Sequence, residues 1–165
     1  MELCMMKLFC KKNNIALVFV SIFIAITISL SAQAQVIITQ TQDLSFGTFG
    51  FKSFNTTLRI NIQNNGGYTA NPNTIIYIAP TRGEFTLTGG PANSPYTITF
   101  APSTVLTGPG ADFTIDNIRI RPNTLQTNAA GTDTFNVMAR LTSLSGGAIY
   151  NNGHYDTDYD LIINF

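Results

Sequence analysis

Apolar and polar side chains alternate one for one through long stretches of this chain, and a period of two leaves little but β-strand open to it. In Leu58-Arg59-Ile60-Asn61-Ile62, in Phe113-Thr114-Ile115 continuing to Ile118-Arg119-Ile120-Arg121, and in Tyr159-Asp160-Leu161-Ile162-Ile163-Asn164-Phe165, one side is apolar and the other polar. Successive side chains of a strand point to opposite faces, so each segment reads as a strand with one wet face. Residues 36–41, 74–79, 84–88, 96–100 and 134–141 are further candidates, for about eight or nine strands in all. No stretch keeps a helical spacing, and no tandem repeat marks a solenoid or propeller.

Turn clusters separate the strands at regular intervals. Asn64-Asn65-Gly66-Gly67, Asn71-Pro72-Asn73, Gly89-Gly90-Pro91, Gly108-Pro109-Gly110 and Gly146-Gly147 all need or tolerate positive φ or a fixed bend. Thr, Ile and Phe suit the pleated strands between them. Many short strands punctuated in this way predict an all-β fold, a Greek-key or immunoglobulin-like β-sandwich in preference to a barrel. Phe46, Phe49, Phe85, Phe100, Phe113, Phe135 and Phe165 are the expected filling between the sheets, with tyrosines capping the edges.

The start of the chain differs in kind. Lys7, Lys11 and Lys12 precede residues 15–30, an apolar run without a charge, and Ala32-Gln33-Ala34 follows. A positive end, an apolar middle and an A-x-A ending are the parts of a secretory signal peptide, with cleavage expected between Ala34 and Gln35. The run is about 16 residues, short of the roughly 17 to 25 that a membrane anchor needs. No cysteine follows it to take a lipid. The reading is therefore a signal peptide over 1–34 and one domain over 35–165, delivered to the periplasm, the cell surface or the medium, with no membrane segment after cleavage.

Cysteine and charge then exclude several classes. Cys4 and Cys10 both precede Ala34, so residues 35–165 hold no thiol and no disulfide. That segment counts 165 − 34 = 131 residues, enough to bury a core by packing alone. Six basic residues (Lys52, Arg59, Arg82, Arg119, Arg121, Arg140) face eight acidic ones (Asp43, Glu84, Asp112, Asp116, Asp133, Asp156, Asp158, Asp160), a net charge of −2. Nucleic acid is not the partner of such a surface.

No motif carries catalysis. His154 is the only histidine, and no G-x-S-x-G offers a nucleophile for it. Glu84 is not singled out with any second acid as a glycosidase pair. Gly89-Gly90 and Gly146-Gly147 lack the Lys and helix of a phosphate loop. The expectation is a protein without enzymatic activity or cofactor. Asp156-Thr157-Asp158-Tyr159-Asp160 spaces its acids like the opening of a calcium loop, but Leu161 stands where an EF-hand has Gly, and the Glu is missing. Asp156, Asp158 and Asp160 read better as the wet side of a strand, their repulsion eased by a cation or by Arg119 and Arg121 on a neighbour. Tyr68, Tyr77, Tyr96, Tyr150, Tyr155 and Tyr159 would line a sugar site if the fold gathered them.

Three segments carry a resemblance. Asp43-Leu44-Ser45-Phe46-Gly47-Thr48-Phe49 resembles the L-x-F-G-x-Φ opening of bacterial secreted proteins with the domain of unknown function DUF4402, and that of spore coat protein U-like pilin subunits of archaic chaperone-usher pili. Gly83-Glu84-Phe85-Thr86-Leu87-Thr88-Gly89 followed by Pro95-Tyr96-Thr97-Ile98-Thr99-Phe100 is similar to the first family's F-x-V-x-G and Y-x-I-x-L pattern. Gly153-His154-Tyr155 and the alternating end to Phe165 resemble the close of both. The first family has no assigned activity, so its resemblance implies fold and export. The pilin resemblance implies strand addition, in which an extended N-terminal segment completes a neighbour's sheet, with like subunits or a periplasmic chaperone as partners. Val36-Ile37-Ile38-Thr39-Gln40 is a candidate donor, although an ordinary first strand paired within its own domain is the simpler reading of it. The expected function is a pilin-like structural or adhesive surface protein, or else a secreted carbohydrate- or ligand-binding module.

Overall fold

The structure is a computed structural model that describes residues 35–144 and 147–165. The expected signal peptide, its Ala34 and the turn residue Gly146 lie outside the described residues. Among those described there are eleven strands and no helix: β1 (Ile37–Gln42), β2 (Thr48–Phe51), β3 (Arg59–Ile62), β4 (Tyr68–Ala70), β5 (Thr74–Ile78), β6 (Gly83–Thr88), β7 (Thr97–Thr99), β8 (Thr104–Leu106), β9 (Phe113–Arg121), β10 (Asp133–Ser143) and β11 (Ile162–Asn164). Every pairing is antiparallel.

β10 organises seven of them into one sheet. Along one side it pairs with β9; along the other its first half pairs with β6 and its second half with β3, so the sheet forks. β1 adds to β6, β4 to β3 and β8 to β9 as outer strands. The alternation sets which face is buried. Phe135, Val137, Ala139, Leu141 and Ser143 point one way from β10, meeting Ile115 and Phe113 of β9 and Ile60 of β3 across the register. Fully burying Leu or Ile side chains such as Ile60, Ile62, Leu87 and Leu141 stabilises by about 1.5–3 kcal/mol each.

The remaining strands form two separate pairs, β2 with β5 and β7 with β11, with no ladder from one pair to the other. Both pairs pack on the same buried cluster, through Phe49, Phe51 and Ile76 on one side and Ile98 and Ile163 on the other.

Eleven strands exceed the eight or nine expected, and the extra three are β2, β4 and β8. β4 and β8 are three residues long, too short for a period of two to register, and β2 carries Gly50 between two phenylalanines. Conversely the alternating end is a strand only over β11, because its partner β7 offers three residues between Pro95 and Pro102. Phe165 is not core: it is half exposed and lies tilted against Tyr96, ring centroids 5.5 Å apart.

Candidate functional site

Two features of the fold stand out as places where another chain or a ligand could sit. The first is β1. Its register on β6 runs Ile37 to Thr88, Ile38 to Leu87, Thr39 to Thr86 and Gln40 to Phe85. The alternation that buries other strands fails here, for all six residues are exposed. Val36 retains 38%, Ile37 52% and Ile38 39% of their accessible surface. Main-chain bonds hold the strand, helped by the Thr41 hydroxyl donating to the Glu84 carbonyl at 3.1 Å and the Gln42 amide donating to that of Arg82 at 2.8 Å. The sequence candidate Val36-Ile37-Ile38-Thr39-Gln40 is thus placed at an open sheet edge with its apolar side chains in water.

The second feature is a cleft of about 1060 Å³. Its walls are β2 with the segment before it on one side and the segment 151–159, which leads towards β11, on the other. Its floor is the core itself, where Phe113, Ile115, Ile118 and Val137 lie buried at its base. Phe113 anchors the aromatic lining: Phe49 meets it edge-on with centroids 5.4 Å apart, Tyr150 lies at 4.5 Å and Tyr155 at 5.0 Å.

Each wall has a local cause. Gly47 adopts φ +71°, and a Cβ there would stand 2.1 Å from the Ile78 carbonyl oxygen, so only glycine lets this turn drop Phe46 inward and start β2 against β5. On the far wall Thr107 and Asp156 exchange two main-chain hydrogen bonds at 3.1 and 3.0 Å. The Tyr155 ring lies flat on Gly108, where a Cβ would meet it at 2.3 Å. Tyr150 is locked by accepting from the Leu144 amide at 2.8 Å and donating to the Asp112 carbonyl at 3.3 Å. The Tyr159 hydroxyl has no such partner although it is buried, and burial pushes its pKa above the ordinary tyrosine range.

The sequence candidates are dispersed in instructive ways. Tyr77, Tyr150, Tyr155 and Tyr159 do come together at the cleft, Tyr68 sits on exposed β4, and Tyr96 is buried, donating to Asp133 at 2.8 Å. Asp156, Asp158 and Asp160 are exposed, and among the described residues no group of three or more His, Cys, Asp or Glu is placed to hold a metal. They precede β11 rather than lying on it, and Arg119 and Arg121 are not their neighbours, because β9 pairs with β8 and β10 alone. Glu84 is an ion-pair partner of Arg82 at 2.9 Å. His154 lies exposed at the cleft rim. Phe51, outside the expected core and site residues, stacks on Tyr150 at 4.8 Å; its phenylalanine-glycine-phenylalanine setting is the one signal for it in the sequence.

The family model for Domain of unknown function (DUF4402) matches residues 36–165, from the first residue of the exposed apolar run to the last of the chain. The chain belongs to the DUF4402 family. No curated protein and no solved structure matches it. In this DUF4402 domain the three segments that carry the sequence resemblance converge, for Leu44, Phe46, Gly47, Phe85, Gly153 and Tyr155 all line the cleft.

Proposed function

We propose that this DUF4402 protein is an exported structural or adhesive component of the bacterial cell surface, pilin-like and without catalytic activity, whose copies join by strand addition. In this reading the 1–34 segment is removed on export. The two strand pairs and the seven-stranded sheet are the layers of an immunoglobulin-like sandwich with one strand's place open. The donor is β1 of a neighbouring copy and the acceptor is the cleft between β2 and residues 151–159.

The observation that carries the reading is β1, a strand exposed along its whole length that opens on two apolar residues, Ile37 and Ile38. A terminal strand held by backbone bonds and little packing detaches at small cost, and an open sheet edge is where extended segments add. The cleft supplies a complementary place: an opening beside β2, floored by core side chains. A strand of six residues spans about 20 Å at the usual rise, and main-chain bonds to β2 on one side would begin joining the divided layer.

The test is sedimentation and mild-detergent electrophoresis of the protein purified after export, with and without a peptide of residues 36–42. Laddered multimers, dissolved by excess peptide, are expected. A monomer that unfolds cooperatively and ignores the peptide overturns strand addition. A second reading has its own observation: Tyr77, Tyr150, Tyr155 and Tyr159 gathered at the cleft suit a neutral saccharide. Binding on a glycan array by a protein that stays monomeric would favour it.

A further inference from the structure

Charge in this domain is sorted by face. On the side of the seven-stranded sheet turned away from the core, the register places Arg59 beside Thr142, Arg140 between Asn61 and Asp116, Arg119 beside Met138, and Arg121 in a row with Asn136 and Glu84. Arg82, two residues before Glu84, joins the same row and pairs with it at 2.9 Å. Five of the six cations of residues 35–165 therefore share one sheet face.

Two acids of this face are both matched: Glu84 by Arg82, and Asp116 by a two-pronged contact from Arg140 at 2.6 and 2.9 Å. Arg59, Arg119 and Arg121 have no ion pair among the described residues. The face is basic on a domain whose net charge is −2, so the negative excess lies elsewhere. Much of it is opposite: Asp43, Asp156 and Asp158, all exposed, rim the cleft, and Asp160 follows on the same segment.

We propose that the arginine face docks on the carboxylate rim of a second copy of this chain, back to front. Guanidinium forks and carboxylates match bidentately, and between the arginines the register sets Thr142, Asn61 and Asn136, with Met138 buried and Val105 the exposed apolar neighbour on β8. The two surfaces are complementary to each other and not to themselves. Such a contact is heterologous, leaves an unused arginine face at one end and an unused rim at the other, and so propagates instead of closing as a dimer. It goes beyond strand addition and draws on other side chains, for none of these arginines and acids lies on β1, although the rim borders the cleft that a donor strand would fill; in a fibre it would act sideways, between neighbouring strands of subunits.

The experiment is analytical sedimentation of the purified exported protein at about 0.05 M and about 0.5 M salt, where screening shortens from well beyond to well within the contact. Association is expected at low salt and loss of it at high salt. R119E/R121E and D156K/D158K should each weaken association roughly tenfold, and an equimolar mixture of the two should recover it, because each then carries the other's complement. All four positions carry part-exposed or exposed side chains, and unchanged melting curves confirm folding. The variant Ile37→Thr/Ile38→Thr, which lowers strand addition, should keep the salt-sensitive association, so the two ideas fail separately. Salt-independent association, unchanged association in either reversal, or a mixture that does not recover overturns the proposal. So does R119E/R121E losing retention on a polyuronate resin while self-association persists, which would give the arginine face to an anionic polysaccharide.

Discussion

Replacing Ile37 and Ile38 of β1 with threonine separates packing within the domain from packing between copies. Threonine keeps the β-branched shape and strand propensity, so the ladder to β6 survives. In the isolated domain these side chains already keep 52% and 39% of their surface in water, so the double change should cost less than about 1 kcal/mol of folding stability. Assembly is different. Val36, Ile37 and Ile38 together leave slightly more than one large side chain's surface uncovered, and completing its burial on a neighbour is worth about 3 kcal/mol. Removing most of the isoleucine share should weaken multimers by roughly 30-fold, at 1.4 kcal/mol per factor of ten. The paired assays are chemical unfolding of the monomer and the concentration at which multimers appear in sedimentation. Loss of several kcal/mol in the first would mean that β1 is packed inside its own domain; an unchanged second would mean that no neighbour covers these residues. Either result refutes the reasoning.

Three further outcomes follow from the packing. Gly47→Ala forces a Cβ into a backbone carbonyl at φ +71° and should cost about 3 kcal/mol or more, read as a lower unfolding midpoint; a neutral result would mean the turn rebuilds freely. Tyr159→Phe removes a buried hydroxyl that has no partner and should raise stability by about 1 kcal/mol, whereas a loss would expose an unseen partner. Alkali should destabilise the domain: burial raises the pKa of Tyr96 and Tyr159, and Tyr96 also donates to the Asp133 carboxylate. The unfolded chain then gives up protons that the folded one keeps, so stability is whole below about pH 10 and falls above it by up to ~1.4 kcal/mol per pH unit for each tyrosine. Urea unfolding on both sides of that pH checks it, and a flat profile would show that neither phenol is shielded.

The fold was legible wherever alternation met a buried face. Ile60 and Ile62, Phe113 and Ile115, and Phe135, Val137, Ala139 and Leu141 are all period-two sets, and all are core; Met138, buried from the opposite face of β10, is the exception to the alternation. Strands fixed by their partners were not: β4 and β8 exist because β3 and β9 extend a ladder to them, and their own residues are too few to announce it. The same limit hid the cleft. Leu44-Ser45-Phe46-Gly47 and Gly153-His154-Tyr155 lie more than a hundred positions apart, and only the course of the sheet brings them to facing walls. The donor candidate, by contrast, was visible because it is one continuous apolar run at the head of the domain.

β10 has a consequence for timing. The strand that holds the large sheet together pairs with β3, β6 and β9, all of which precede it, and it is complete only at Ser143 of a 165-residue chain. As the polypeptide is made, the earlier strands wait without their central neighbour, and the long-range pairings that define the sheet close late. A nascent chain ordered in this way stays open until β10 emerges, because the strand that clasps the sheet shut comes after all three of its partners.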